Sequence, residues 1–132
     1  MIKEKELVKQ LKNKRTQEKA FLILMSEYKE RLYWHIRKIV ISHDDADDVL
    51  QNVFIKIFKG VKNFKGDSKL STWMFRIAYN ESVTFLNKKG KSLQLSSQEL
   101  QDYLTDKLEA DVYFTSDEIQ LALKKALSQL PD

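Results

Sequence analysis

The chain has 132 residues, 42% apolar and 32% charged, which fits one domain with a modest core. It contains no cysteine, so a disulfide framework, a thiol nucleophile and a cysteine-based zinc site are excluded, as befits a reducing compartment. A net charge of +4 and a pI near 9.2 point weakly to an anionic partner, and three glycines with one proline are too few turn-formers for a sheet, so an all-α fold is expected.

The opening "MIKEKELVKQLKNKR" is charged throughout and lacks the apolar stretch of a signal peptide, while a short helix is expected over residues 4–11. No apolar run approaches the roughly 18 residues that span a bilayer, so the expectation is a soluble, cytoplasmic protein with no membrane insertion. The first long periodic stretch is "TQEKAFLILMSEYKERLYWHIRKIVI". Phe21, Met25, Tyr28, Leu32, Ile36 and Ile39 recur at three and four residues and predict one buried helical face, with Thr16 as N-cap and Glu18 in the first turn.

In "SHDDADDVLQNVFIKIFKG", Ser42 followed by Asp45 is a capping pattern ahead of an apolar run. Ala46, Val49, Leu50, Val53, Phe54 and Ile57 predict the inner stripe, and Gly60 is placed to end the helix. Four aspartates, Asp44, Asp45, Asp47 and Asp48, crowd its start. They spread around a turn rather than converging, so they read as first-turn charges and an outward acidic surface more than as a magnesium site. A loop "VKNFKGDSK" follows, then a third long helix, "LSTWMFRIAYNESVTFLNKK", with Leu70, Trp73, Met74, Ile77 and Ala78 inward and Gly90 as its expected stop. The acidic stretch after Gly90 reads as a linker with one short helix after Ser96. A last helix is expected from Thr115, with Glu118 completing a capping box, to Pro131.

Catalytic chemistry finds little support. His35 and His43 are unpaired as ligands, and there is no P-loop, dinucleotide fingerprint or nucleophile elbow, so neither enzyme activity nor a cofactor is expected. Basic and aromatic residues are better placed. Between Lys56 and Lys69 there are five lysines against one acid, Asp67, and the next helix adds Arg76, Asn80, Lys88 and Lys89. Phe58, Phe64, Trp73, Phe75 and Tyr79 are interleaved with them. Lysines that neutralise phosphates beside rings that stack on unpaired bases would make a single-strand platform. The same residues also read as a solvated lysine face over core aromatics, and on composition both readings stand.

The ordered pattern resembles a known family. "DADDVLQNVFIKIFKGVKNFKGDSKLSTWMFRIAYN" is similar to the second conserved region of bacterial sigma factors of the extracytoplasmic-function (ECF) group. An acidic pair, V-x-Q-x-x-F, a phenylalanine, a Gly-Asp-Ser loop and a T-W-hydrophobic-aromatic-R-I-A-x-N helix occur in order. They are carried by Asp47, Asp48, Gln51, Phe54, Phe64, Gly66, Asp67, Ser68, Thr72, Trp73, Arg76, Ile77, Ala78 and Asn80. The likeness covers residues 16–90, with Ala20, Phe21, Leu24, Tyr28, Leu32 and Tyr33 agreeing upstream.

The resemblance implies a compact three- to four-helix region-two domain over residues 1–90, a linker over 91–114 and, over 115–132, the first helix of a truncated region-four domain. The sequence stops before a helix-turn-helix, so recognition of the minus-thirty-five element is not expected of it. It also implies core RNA polymerase as partner, bound through the arginine-bearing clamp helices of the largest subunit. Asp47, Asp48, Gln51 and Asn52, with Phe54 on the adjoining apolar stripe, would meet them, because carboxylates and arginine forks form bidentate charge-assisted bonds. The loop 61–71 and the helix after it would capture the non-template single strand of promoter DNA at the minus-ten element, melted with a base flipped into a pocket. Phe64 and Asn80 are the implied stacking and reading groups, with Lys56 nearby. Arg76, Lys62, Lys65, Lys69, Lys88 and Lys89 would hold phosphates, and Ser68 and Trp73 complete the surface. A possible anti-sigma factor is a further partner. The alternative is a helical protein-interaction module sequestered by such a factor and making no DNA contact of its own.

Overall fold

The computed structural model describes residues 3–92 and 97–109, together with Asp117, Leu121, Lys124 and Lys125, and every regular element among them is helical. The order is α1 (Glu4–Lys12), α2 (Gln17–Val40), α3 (His43–Gly60), a 3-10 turn (Val61–Asn63), α4 (Leu70–Ser92) and α5 (Ser97–Glu109). The all-α expectation therefore holds among the described residues. Helices α2, α3 and α4 pack on one another pairwise, while α1 lies against α2 and the 3-10 turn.

Each helix forms for a local reason and is placed by its apolar face. In α1, Leu7 and Leu11 sit one turn apart and are buried, with Glu4 and Glu6 at the N-terminus and Lys9 and Lys12 at the C-terminus, as the macrodipole favours. In α3 the Ser42 side chain accepts from the Asp45 N–H at 3.2 Å, and all six stripe residues are buried as expected. In α4 the buried line is Leu70, Met74, Ala78, Ser82 and Leu86. The Ser82 hydroxyl turns back to the Ala78 carbonyl at 2.7 Å, so its burial leaves no unmet donor.

Helix α2 departs from the expected stripe. Leu32, Ile36 and Ile39 are buried, but Phe21, Met25 and Tyr28 are only half-buried, and the fully covered positions in the first half are Ala20 and Leu24. The buried line in this half is offset by one residue from the expected one, in a helix that packs against α1 as well as α3 and α4. Thr16 does not cap α2 with its side chain either; its hydroxyl donates instead to the Gln10 carbonyl at 2.7 Å and ties the end of α1. The α2–α3 junction is built on Ile41, buried with φ of 78°. That region is costly for a β-branched residue. It is held by the Ile41 N–H on the Arg37 carbonyl at 3.0 Å and by the Arg37 guanidinium on the Ile41 carbonyl at 2.8 Å.

Neither expected glycine stop operates as one. Gly60 keeps a right-handed φ of −90°, and the chain tightens into the 3-10 turn. A Cβ there would lie 3.3 Å from the Trp73 ring, so its function is close approach. Helix α4 runs through Gly90 to Ser92, so the expected boundary at residue 90 falls inside it. A helix does follow Ser96, but at thirteen residues it is a full element, and Leu104 is buried in the common core. Of the helix expected over 115–132, Asp117, Leu121, Lys124 and Lys125 are helical. The rest of it, including the Thr115–Glu118 capping box, lies outside the described residues.

Candidate functional site

Two surfaces, one largely apolar and one basic, flank the three-helix core. The first is a groove of about 940 Å3 between α2 and α3. Its floor is aromatic: Phe21 meets Phe58 edge-on at 5.0 Å and Phe54 at 6.1 Å between ring centroids. Its walls carry apolar side chains open to solvent, Leu22 at 65% and Ile55 at 51% exposure. Asp47 and Gln51 stand on its rim. An exposed apolar strip bounded by polar groups is what a protein-binding surface needs.

The expected polymerase-facing residues divide accordingly. Asp47, Asp48, Gln51 and Asn52 are all exposed on α3, whereas Phe54 is buried and reaches the groove only as part of its floor. Asp47 lies 3.3 Å from His43 one turn earlier, and the other ring nitrogen of His43 lies 2.6 Å from the Tyr33 hydroxyl. Tyr33 also accepts from buried Arg37 at 2.5 Å. Among the described residues, no three His, Cys, Asp or Glu side chains gather as metal ligands. Leu22 and Ile55 escaped the sequence reading because they lie off the buried stripes. An apolar residue on the solvent side of an amphipathic helix was the signal that would have found them.

The second surface is the loop 64–69 with the adjoining face of α4. Gly66, with φ of 79°, makes its turn in open space. Lys62, Lys65 and Lys69 are exposed around it and Ser68 is half-buried, its hydroxyl 3.3 Å from the Lys69 carbonyl. On α4, Arg76 and Asn80 are exposed one turn apart on the same side, so both can face a strand lying on the helix. Tyr79, 39% exposed and three residues beyond Arg76, presents a ring to this same side.

The structure moves several expected contributors. Phe64 is only 7% exposed, its ring 5.2 Å from that of half-buried Trp73, so it lies beneath the loop rather than open to a base. Lys56 is engaged with Glu81 of α4, a partner that the sequence reading did not name. Lys88 is exposed but lies about 12 Å further along α4 than Asn80, at 1.5 Å per residue. The Lys89 ammonium sits 5.9 Å from the ring centroids of both Phe85 and Tyr103, clasped between α4 and α5. Arg76 and Asn80 thus share an exposed side of α4, the helix that the loop opens, while Lys56 is paired with Glu81, Lys89 is held between Phe85 and Tyr103, and Lys88 lies two turns beyond Asn80.

His35 lies outside both surfaces. It is half-buried with its ring edge on Phe75, and its Nε2 finds no hydrogen-bond partner among the described residues. Burial, and then the charges of Lys125 and Lys38, hold its pKa below the ordinary 6.5.

The sigma-70 region 2 family profile matches residues 24–92, just over half of the chain. The chain belongs to that family. The resemblance to region two of the ECF sigma factors is borne out, whereas the region-four helix expected over residues 115–132 lies beyond the matched stretch, and the family is one of non-enzymatic transcription initiation factors. The chain is 28% identical over 126 residues to the RNA polymerase sigma-H factor of Pseudomonas aeruginosa, covering 89% of this chain and 65% of that protein. It is 36% identical over 73 residues to the ECF RNA polymerase sigma-E factor of Haemophilus influenzae, and 35% over 74 residues to that of Escherichia coli K12. Those two matches cover 55% and 56% of this chain and 38% of each relative, so the chain spans well under the full length of the sigma-E factors. The loop and the whole of α4 lie within the matched stretch, as does the groove except for Glu18, Phe21 and Leu22. No helix among the described residues is long and apolar enough to cross a membrane.

Proposed function

We propose that the chain acts as the region-two part of an ECF-type RNA polymerase sigma factor, joining core polymerase through the α2–α3 groove and capturing the non-template strand of the minus-ten element with the loop 64–69 and α4. The observation that carries this is the placement of an apolar groove, lined on its α3 side by Asp47 and Gln51 with Lys59 and on its α2 side by Glu18 and Lys29, and a basic loop on adjoining elements of one three-helix core. A helical hairpin bearing arginines fits the first. Its apolar side would cover Leu22 and Ile55, and its guanidinium groups would meet Asp47, Asp48 and Gln51.

The second surface suits a single strand. Lys62, Lys65, Lys69 and Arg76 supply phosphate contacts, and Asn80 offers a donor and an acceptor to the edge of an unstacked base. Tyr79 takes the stacking role that the resemblance gave to Phe64, because its ring is already exposed whereas that of Phe64 supports Trp73. Extruding a base costs a few kcal/mol, and stacking on an aromatic ring returns about 1 to 3 kcal/mol per base.

The test is a titration of single-stranded oligonucleotides with each minus-ten base varied in turn. Asn80→Ala should cost about 1 to 3 kcal/mol at one base position and relax the preference there. Lys65→Ala should weaken all sequences alike. Equal loss at every base in Asn80→Ala would remove the reading role from that residue. An affinity for strands that is absent altogether would favour a module that binds only protein through the groove.

A further inference from the structure

The loop 64–69 is held at both ends by side chains from the far N-terminus. Glu4, the first residue of α1, accepts from the Leu70 N–H at 2.9 Å across 66 residues of sequence. Lys12, the last residue of the same helix, donates its ammonium to the Phe64 carbonyl across 52 residues. Between these two points, Lys65, Gly66, Asp67 and Lys69 are all exposed.

Each contact satisfies a group that its own segment cannot. Leu70 opens α4, and its N–H is one of the donors that a helix leaves unmet. Lys69 precedes it, its carbonyl accepting from the Trp73 N–H at 3.1 Å, but a lysine side chain has no acceptor with which to cap a helix. A carboxylate from α1 fills that place, where the macrodipole favours negative charge. At the other end, Phe64 is pinned by its ring on Trp73 and its carbonyl is taken up by Lys12. Leu7 and Leu11, between the two polar contacts, are buried in the core and keep the helix in place.

Eight helical steps separate Glu4 from Lys12, about 12 Å at 1.5 Å per residue. The six steps from Phe64 to Leu70 can span roughly 20 Å when extended. The segment between these two held points is not extended but turns back at Gly66, whose φ of 79° suits a residue without a Cβ. Helix α1 also lies outside the stretch that matches the family profile, which begins at residue 24.

We propose that α1 is a strut that holds the strand-capturing loop in its turned form, with Glu4 and Lys12 as positioning residues that themselves touch no nucleotide. This rests on the strand-capture reading above and adds to it the elements that preorganise the loop.

The full chain tests it in two arms. In the first, amide hydrogen exchange is followed at Leu70 and across residues 65–69. Glu4→Ala and Lys12→Met should speed exchange there about tenfold, while Glu4→Gln, which keeps an acceptor, and Lys12→Arg, which keeps a cationic donor, should restore it. In the second, strand binding should weaken about fivefold to tenfold in Glu4→Ala and Lys12→Met, less than the whole of a charge-assisted hydrogen bond because only the preorganisation of the loop is lost to the strand. The salt slope should stay unchanged, whereas Lys65→Ala lowers it by about one. Pull-down of core polymerase should be unaffected in all four variants.

A slope lowered by Lys12→Met would make Lys12 a phosphate contact and overturn its positioning role. Unchanged exchange, or faster exchange with strand binding intact while Lys65→Ala and Asn80→Ala do weaken it, overturns the strut. If Lys65→Ala and Asn80→Ala leave strand binding untouched while Glu4→Ala still speeds exchange, the hold on the loop stands and the capture reading falls.

Discussion

Phe64 shows how far a residue's role depends on where its ring goes. Its place in the family pattern marks it for stacking on a base, yet at 7% exposure against Trp73 it belongs to the core. Phe64→Ala should therefore lower folding stability by about 3 kcal/mol, as for other buried aromatic truncations, and shift the denaturant midpoint markedly. A purely stacking Phe64 would leave that midpoint unchanged and cost only strand affinity. His35 gives a second prediction at this scale. Its folded pKa lies below the unfolded value near 6.5, since protonation would bury a charge near Lys38 and Lys125 with Nε2 unpartnered. The unfolded chain thus binds the proton first, so this contribution to stability is complete above about pH 6.5 and is lost as the pH falls toward the folded pKa. Thermal midpoints measured from pH 7.5 down to 5 should fall in the wild type more steeply than in His35→Leu; parallel slopes would show that His35 is not the group responsible.

At the scale of the element, α3 divides its labour by face. Ala46, Val49, Leu50, Val53, Phe54 and Ile57 are buried, while Asp47, Asp48, Gln51 and Asn52 are exposed and Ile55 opens onto the groove. A substitution on the outer face should therefore alter binding without altering folding. Replacing Asp48 and Gln51 together by lysine should keep the helical circular dichroism and the midpoint within about 0.5 kcal/mol. It should weaken core polymerase binding by several kcal/mol through like charge against arginine. A double variant captured by core polymerase at wild-type strength would put the interface elsewhere. Helix α4 carries the complementary division, with Leu70, Met74, Ala78 and Leu86 inward and Arg76, Tyr79 and Asn80 outward.

Across the whole molecule, the two surfaces should differ in their response to salt. About four phosphate contacts, from Lys62, Lys65, Lys69 and Arg76, give an expected slope near −3 for the logarithm of single-strand affinity against the logarithm of salt concentration. The same chain should bind duplex DNA hardly at all, since so few contacts cannot meet the cost of opening the helix. Titrations at several salt concentrations with single-stranded and duplex oligonucleotides check both statements. A slope near zero would mean that the lysines are a solvated face.

How much of this could be read from the sequence follows from the range of each interaction. Helix positions, the Ser42–Asp45 cap and the inner stripe of α3 are set by contacts within a turn or two, so local spacing determined them, and the ordered motif from Asp47 to Asn80 was enough to point to the family. Long-range packing determined the rest. Gly90 does not end α4, which continues to Ser92, and the Thr16 hydroxyl turns back to the Gln10 carbonyl at the end of α1 instead of capping α2. Lys56 is drawn to Glu81, Arg37 is buried to hold Ile41, and Leu104 docks from what read as a linker. Glu4 and Lys12 reach across 66 and 52 residues to the two feet of the loop. Periodicity along one helix shows which side is apolar. Which neighbour covers that side, and which charge is thereby desolvated or paired, is decided only when the helices meet.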